Sequence, residues 1–223
     1  VERRIKREPS QYIIGEQEFW GLAFKVTPDV LIPRPETELL VEETVKIVGG
    51  QPTILDLCTG SGCIAISLAK EIPGCKVYAI DISERALEVA MENAERHDVA
   101  GRITFLQGDM FKPLNGLNIK ADIIVSNPPY ISKKMMADLE SEVKDYEPVT
   151  ALYGGEDGLD FYRRIVSDAS AYLTASGYLM LEMGCGQAEK IRNLIGQSNI
   201  FEAITVIKDF SGIDRIIKAQ RKG

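Results

Sequence analysis

One histidine and four cysteines are all that 223 residues provide for metal or thiol chemistry, and neither type is clustered. Cys58, Cys63, Cys75 and Cys185 show no CxxC spacing, and His97 has no histidine neighbour, which argues against structural zinc and against a disulfide scaffold. The thiols are expected to be free, small and buried, in a reducing compartment. His97 sits in the polar stretch Ala94-Glu95-Arg96-His97-Asp98 and is expected at the surface, so no Ser/His/Asp or Cys/His set is available. No stretch approaches ~18 uninterrupted apolar residues, and no charged-then-apolar leader opens the chain. A membrane span and an export signal are therefore not expected, and the cytoplasm of a bacterial-type cell, or an organelle, is. Positive charge is short as well: 26 Lys+Arg against 33 Asp+Glu leave a net charge of −7. That balance disfavours a partner held mainly through phosphate contacts, and stable nucleic-acid binding is not expected.

What is present suffices for a sizeable core, since 45% of the residues are hydrophobic, and the length suits one large domain with a small extension. The opening run Val1 to Glu8 is charged, leads into Pro9 and reads as a solvated helix end or linker; beginning at Val1, it suggests that something precedes it. Two short β-rich runs, Gln11-Tyr12-Ile13-Ile14 and Phe19 to Val26, are separated by Gly15 and polar residues and read as a hairpin. Pro33-Arg34-Pro35-Glu36-Thr37-Glu38 opens a helical pattern through Val48, with proline near the first turn, acids at the positive helix end and Gly49-Gly50 as the stop. Residues 1–32 thus form an N-terminal segment and 33–223 the main domain.

From Thr53 onward, apolar β-like runs at 53–57, 76–80, 103–107, 121–126 and 178–182 alternate with helical stretches near 62–71, 84–97, 158–174 and 186–197. Alternation of that kind implies a mostly parallel sheet covered by helices on both faces. Residues 201–208 and 213–219 read as two consecutive strands around Asp209-Phe210-Ser211-Gly212, which would bring an antiparallel strand into the sheet. The expected fold class is α/β, with a seven-stranded sheet behind a small hairpin.

The carboxyl ends of these strands carry the chemistry. The first runs into Asp56-Leu57-Cys58-Thr59-Gly60-Ser61-Gly62 and then a helix, where the glycines permit a sharp turn and close ligand approach and the helix start offers free N–H groups. A third glycine of the dinucleotide fingerprint would fall at Ala65, a position where alanine is tolerated, so a nicotinamide ligand stays open. The second strand ends at Asp81, about 20 residues on, where an acid can accept from ribose hydroxyls. The third leads into Gly108-Asp109-Met110-Phe111, an acid with apolar neighbours suited to an adenine ring. The fourth delivers Asn127-Pro128-Pro129-Tyr130. The Asn127 side-chain oxygen and the Pro128 carbonyl can each accept one hydrogen of a planar NH2 group. Pro128 and Pro129 stiffen the loop without an N–H that would compete, and the Tyr130 ring offers a flat face.

With Pro33 to Glu38, Glu147-Pro148-x-x-Ala151-Leu152, Gly154-Gly155-Glu156-Asp157-Gly158-Leu159-Asp160 and Asp209 to Arg215 added in collinear order, the chain resembles the HemK/PrmC family of protein-(glutamine-N(5)) methyltransferases, from about Gln11 to its end. The resemblance implies a class I, Rossmann-like methyltransferase fold and S-adenosyl-L-methionine as methyl donor, leaving S-adenosyl-L-homocysteine, with no metal. It seats the donor over Cys58, Thr59, Gly60, Ser61 and Gly62, with ribose at Asp81, adenine near Asp109 and Met110, and Asn127 close by. The implied substrate is the glutamine of the Gly-Gly-Gln loop of a class 1 peptide chain release factor, held by Asn127, Pro128, Pro129 and Tyr130; Asn127, Pro128 and Tyr130 are the implied catalytic residues. Two departures stand out: Cys58 replaces a glycine common in the family, and no segment corresponds to the family's N-terminal helical domain, so residues 1–32 are expected to be the remnant of a linker to it. A monomer is expected.

Four rival readings exist. A methyltransferase for the exocyclic amine of adenine shares the tetrapeptide logic, yet it needs a cationic track and a base-flipping region that an acidic chain of this size has little room for. A glutamine of another protein, such as a ribosomal protein, is a further alternative substrate. A nicotinamide oxidoreductase leaves the NH2 grip unexplained, and a silent donor-binding module would show no turnover.

Overall fold

The computed structural model describes residues 1–223. Helices α1 (Glu2–Ile5) and α2 (Ser10–Ile14) precede a hairpin of β1 (Glu16–Phe19) and β2 (Leu22–Lys25), and α3 (Glu38–Ile47) follows a 3-10 turn at Pro35–Thr37. The alternating section then runs β3 (Thr53–Leu57), α4 (Cys63–Glu71), β4 (Lys76–Asp81), α5 (Glu84–Arg96), β5 (Ile103–Gln107) and β6 (Ala121–Ser126). Three short helices, α6 (Lys133–Ala137), α7 (Ser141–Lys144) and α8 (Val149–Leu152), lead to α9 (Asp160–Tyr172) and β7 (Leu173–Glu182). The chain closes with α10 (Ala188–Gln197), β8 (Phe201–Lys208) and β9 (Asp214–Arg221).

The seven-stranded sheet has the order β5-β4-β3-β6-β7-β9-β8. Its first five strands are mutually parallel, whereas β9 is antiparallel to both β7 and β8. Successive residues of each strand face opposite sides, so Ile54, Val77, Ile123 and Val125 join one buried cluster with α3 and α4, while Leu55, Leu57, Ile124 and Leu181 join another with α9 and α10. Each fully buried Leu or Ile stabilises the fold by roughly 1.5–3 kcal/mol. Strand order reverses between β3 and β6, and in sheets of this type the crevice for a ligand opens at the carboxyl ends of the strands at that point.

The sequence reading fails at Gln11 to Ile14, which is helical rather than extended. Three apolar, β-prone residues after Gln11 cannot fix a period; Gly15, at φ +85°, ends a helical turn there, and the Tyr12 hydroxyl donates to the Val30 carbonyl at 2.7 Å. The hairpin is instead Glu16–Phe19 against Leu22–Lys25. Its two-residue turn has Trp20 at φ 53° and Gly21 at φ 68°, the positive-φ pair a twisted hairpin favours. Glu38, expected only to complement the helix dipole, accepts the Trp20 N–H at 2.8 Å and so ties the hairpin to α3. His97 is half-buried rather than superficial: its ring packs 5.2 Å from Phe24, with Nε2 2.9 Å from the Ala23 carbonyl. Cys185 is exposed and Cys58 is intermediate, so only Cys63 and Cys75 behave as buried hydrophobes, although all four thiols are free as expected.

Candidate active site

At the switch point lies a cavity of about 750 Å³ lined by Cys58, Gly60, Asp81, Asp109, Met110 and Asn127, among others. Pairing places these strand ends side by side. Leu57 is level with Ser126, and Asp81 with Gln107. The buried Ser126 hydroxyl donates to the Leu57 carbonyl at 2.6 Å, fastening the two strand ends from which the glycine loop and the tetrapeptide depart.

The glycine loop is held from beneath. Asp81 Oδ2 accepts the Gly60 N–H at 2.9 Å and its Oδ1 accepts the Ser83 N–H at 3.0 Å. Burial raises the Asp81 carboxyl, against the pull of these backbone bonds. Each oxygen retains a lone pair, so the carboxylate can take further hydroxyl donors without surrendering the loop. Gly60 is at φ +55° with open space where a Cβ would stand. Gly62 is at φ +80°, and there a Cβ would come within 3.1 Å of Ala90, so this glycine serves close helix packing. Asn93, which the sequence did not single out, donates to the Ser61 carbonyl at 2.9 Å and brackets Lys25 with both side-chain atoms, linking loop and hairpin.

Asp56 and Thr59 form a buried pair under the loop, with the Thr59 hydroxyl 2.6 Å from Asp56 Oδ2 and Oδ1 unpartnered. Burial pushes the Asp56 carboxyl up to about 7, Thr59 and the Ala65 N–H oppose it, and the Asp81 charge adds to it. The native protein thus holds a proton that the unfolded chain releases, so stability falls as pH rises from about 4 to about 7. Asp56→Asn removes that titration. In urea melts across this range the variant is expected to gain on wild type by up to roughly 4 kcal/mol; parallel pH curves would contradict it.

Asp109 departs from the simple expectation of an acid free to face adenine. Its carboxylate is paired with Lys112 at 2.8 Å and with Arg164 of α9, and these two cations hold it below the usual carboxylate range. Met110, at φ 56°, turns into the second core cluster, with Cys58 Sγ 3.9 Å from its sulfur. Phe161 and Arg164 of α9 also line the cavity. Neither was legible from the strand-end pattern, because α9 reaches the pocket from a distant part of the chain.

The tetrapeptide is buttressed on all sides. Pro128 and Pro129 are buried. Asn127 Nδ2 donates to Thr37 Oγ1 at 3.1 Å, whereas no hydrogen bond of the chain ends on Asn127 Oδ1 or on the Pro128 carbonyl. The two acceptors are therefore unused by the protein. Tyr130 packs on the second core cluster, and burial raises its phenol to about 12, so it is neutral near pH 7. Its carbonyl accepts from Gln187 Nε2 at 3.0 Å. Tyr130 does not appear among the residues lining the cavity; Pro129 and Asn127 do, with Pro148, Val149 and Tyr153 of the facing segment.

That facing segment explains the glycines at 154–158. Ile131 N–H donates to the Leu152 carbonyl and Gly154 N–H to the Ile131 carbonyl, both at 2.9 Å. A Cβ on Gly154 would come within 2.6 Å of the Pro129 oxygen. Gly158 stands at φ +78°, with the Tyr130 carbonyl inside the space a Cβ would need. Gly158→Ala is expected to cost about 2–4 kcal/mol in strain and overpacking, read as a lower urea midpoint; an unchanged midpoint would refute this contact. The Glu147-Pro148 turn is fixed by its acid, which is 5% exposed, pairs with Arg34 and accepts the Ile32 N–H at 3.3 Å. Arg34 and Glu147 thus join two of the motifs noted in the sequence.

No group of His, Cys, Asp and Glu is placed to hold a metal ion, and no helix is long and apolar enough to cross a membrane. A parallel sheet with an antiparallel last strand, a glycine loop, an acid one strand over and a strand-end grip at the switch point define a class I methyltransferase. Comparisons narrow the class. Residues 35–142 match the family model for the methyltransferase small domain. The release factor glutamine methyltransferase of Geobacter sulfurreducens is 48% identical over 97% of this chain and 75% of its own length. That of Thermodesulfovibrio yellowstonii is 46% identical over 99% of this chain and 79% of its own. The chain belongs to the release factor glutamine methyltransferase family. Among solved structures, a methyltransferase from Pyrococcus furiosus superimposes with a TM-score of 0.69 at 20% identity over the whole of both chains, a likeness of fold.

Proposed function

We propose that this protein transfers a methyl group from S-adenosyl-L-methionine to the side-chain amide nitrogen of the Gly-Gly-Gln glutamine of a class 1 release factor. The observation that carries this reading is the pair of unused acceptors, Asn127 Oδ1 and the Pro128 carbonyl, beside a cavity of donor size. Cavities of about 300–1,000 Å³ suit ligands of that class. The residues present fit the donor: Cys58 to Gly62 bend around it with open space at Gly60, Asp81 takes the ribose hydroxyls, and Met110, Phe161 and the Asp109 backbone flank the adenine. When bound, the donor supplies an electrophilic methyl on a cationic sulfur.

The residues of this chain must then improve an amide nitrogen whose lone pair is delocalised into its carbonyl. Two acceptors that take both N–H hydrogens orient the nitrogen, and positioning of this kind contributes several kcal/mol. The same acceptors stabilise positive charge as it grows on nitrogen, which is oxyanion-hole logic with the sign reversed. Pro128 and Pro129 keep the acceptors rigid, and Pro129, which lines the cavity, gives the amide plane a wall while Tyr130 backs the loop from the core. No group placed as a general base is required, and His97, against the hairpin, is not near this work. The acidic net charge and the relatives' names favour a protein glutamine over an adenine. We place the reaction in the compartment where translation terminates, and take residues 33–223 as the catalytic domain with residues 1–32 as its N-terminal extension. The test is transfer from labelled donor to a purified release factor, with single-stranded and duplex DNA as competitors; adenine methylation without factor methylation would overturn the reading.

A further inference from the structure

Asparagine at the grip presents a problem that proline stiffening does not solve. Its side-chain amide is nearly symmetric in shape, and a half-turn would aim NH2 rather than oxygen at the substrate NH2. Something must fix the orientation. Thr37 does part of this, since it is 2% exposed and its hydroxyl oxygen lies 3.1 Å from Asn127 Nδ2. Yet a hydroxyl can also donate, and a Thr37 proton turned toward Asn127 would favour the wrong rotamer. The direction of the Thr37 proton is thus the deciding variable.

The acid beside it is Glu182. β7 runs alongside β6 with Leu181 level with Ser126, which places Glu182 next to Asn127 across the strand ends. It is 1% exposed, and its Oε2 has no hydrogen-bond partner, an unusual state for a buried carboxyl. Thr37 and Asn127 are the polar side chains whose nearness favours its charged form, although neither donates to Oε2 in this structure. We propose that Glu182 is a positioning residue for the NH2 grip: as a carboxylate it draws the Thr37 hydroxyl proton to itself, so that Thr37 can only accept from Asn127 Nδ2 and the Asn127 oxygen faces the cavity. This inference rests on the grip assigned above.

A protonated Glu182 would reverse the arrangement, because its own O–H then competes for the Thr37 oxygen and frees the Thr37 proton. Burial pushes the Glu182 carboxyl up to about 7; the nearby Thr37 hydroxyl and the Arg215 guanidinium pull it down, and Glu36 pushes it up. Tyr130 also faces it, and Arg215 is itself paired with Asp209 at 3.0 Å. The switch thus lies within the range in which the enzyme would be assayed.

The experiment is kcat at saturating donor and saturating release factor, from about pH 5.5 to 8.5, for wild type, Glu182→Gln, Thr37→Val and Thr37→Ser. Wild type is expected to rise through a limb near neutrality. Glu182→Gln, whose amide donates as the protonated acid would, is expected to lose the limb and run at least about ten-fold slower at the alkaline end, a fraction of the effect of losing an acceptor outright. Thr37→Val is expected to lower kcat by a similar factor with donor affinity unchanged, and Thr37→Ser to restore it. A Glu182→Gln enzyme with the wild-type limb, or a Thr37→Val enzyme with wild-type kcat, would overturn the proposal while leaving the function standing. If Glu182→Gln does not fold, the Thr37 pair decides alone. Wild type without transfer to the factor would overturn the functional reading and this inference with it.

Discussion

Asn127→Ala is expected to lower kcat for release-factor methylation by about 10²–10³-fold, the cost of deleting one preorganised group that acts on charge developed in the transition state. Donor affinity should change little, because the donor is held chiefly by the glycine loop, Asp81 and the walls around Met110. The side chain is fixed by Thr37 at 3.1 Å and sits on a loop whose prolines are buried, so its loss should not unfold the strand end. The Pro128 carbonyl survives in the variant, which leaves one acceptor and a residual rate. Calorimetric titration of the donor, paired with single-turnover transfer, separates the two effects. A variant that binds donor and transfers at the wild-type rate would remove Asn127 from the chemistry.

The opposite split is expected at Asp81. Asp81→Ala should weaken donor binding by about 10²–10⁴-fold, since hydrogen bonds to a charged group contribute about 1.5–3 kcal/mol each and the carboxylate can serve both ribose hydroxyls. It also frees the Gly60 and Ser83 N–H groups that Asp81 now holds at 2.9 and 3.0 Å, which loosens the loop the donor must meet. Asp81→Asn keeps one acceptor and should lose less. At donor concentrations that overcome the weaker affinity, kcat should recover to within several-fold of wild type, unlike Asn127→Ala. Equal donor affinity in Asp81→Ala and wild type would mean that the ribose is bound elsewhere.

These contrasts follow from which parts of the molecule were written locally. The five parallel strands could be read as apolar runs, because strands buried on both faces need no polar alternation. Their carboxyl ends could be read as a site because glycine, Asp81 and Asn127 interrupt those runs at like positions. Gln11 to Ile14 misled, because three β-prone residues carry no period of their own and the helix they form is closed by Gly15. Asp109 was visible as an acid but not as an ion-paired one, since Arg164 arrives on α9 some 55 residues later. Thr37 and Glu182 were hidden for different reasons. Thr37 lay in a stretch that helix capping explained fully, and Glu182 looked like the polar end of an apolar strand. Only their approach to Asn127 across the sheet gives them meaning, and sequence spacing does not encode that approach.

The most direct test combines the purified protein, methyl-labelled donor and a class 1 release factor in wild-type form and with its Gly-Gly-Gln glutamine replaced by alanine, followed by peptide mass mapping. The expected result is a gain of one methyl on that glutamine in the wild-type factor, none in the replaced factor, and none when Asn127→Ala enzyme is used for the same brief interval. Methylation that persists in the replaced factor, or an unmodified wild-type factor beside methylated adenine in DNA, would contradict the assignment.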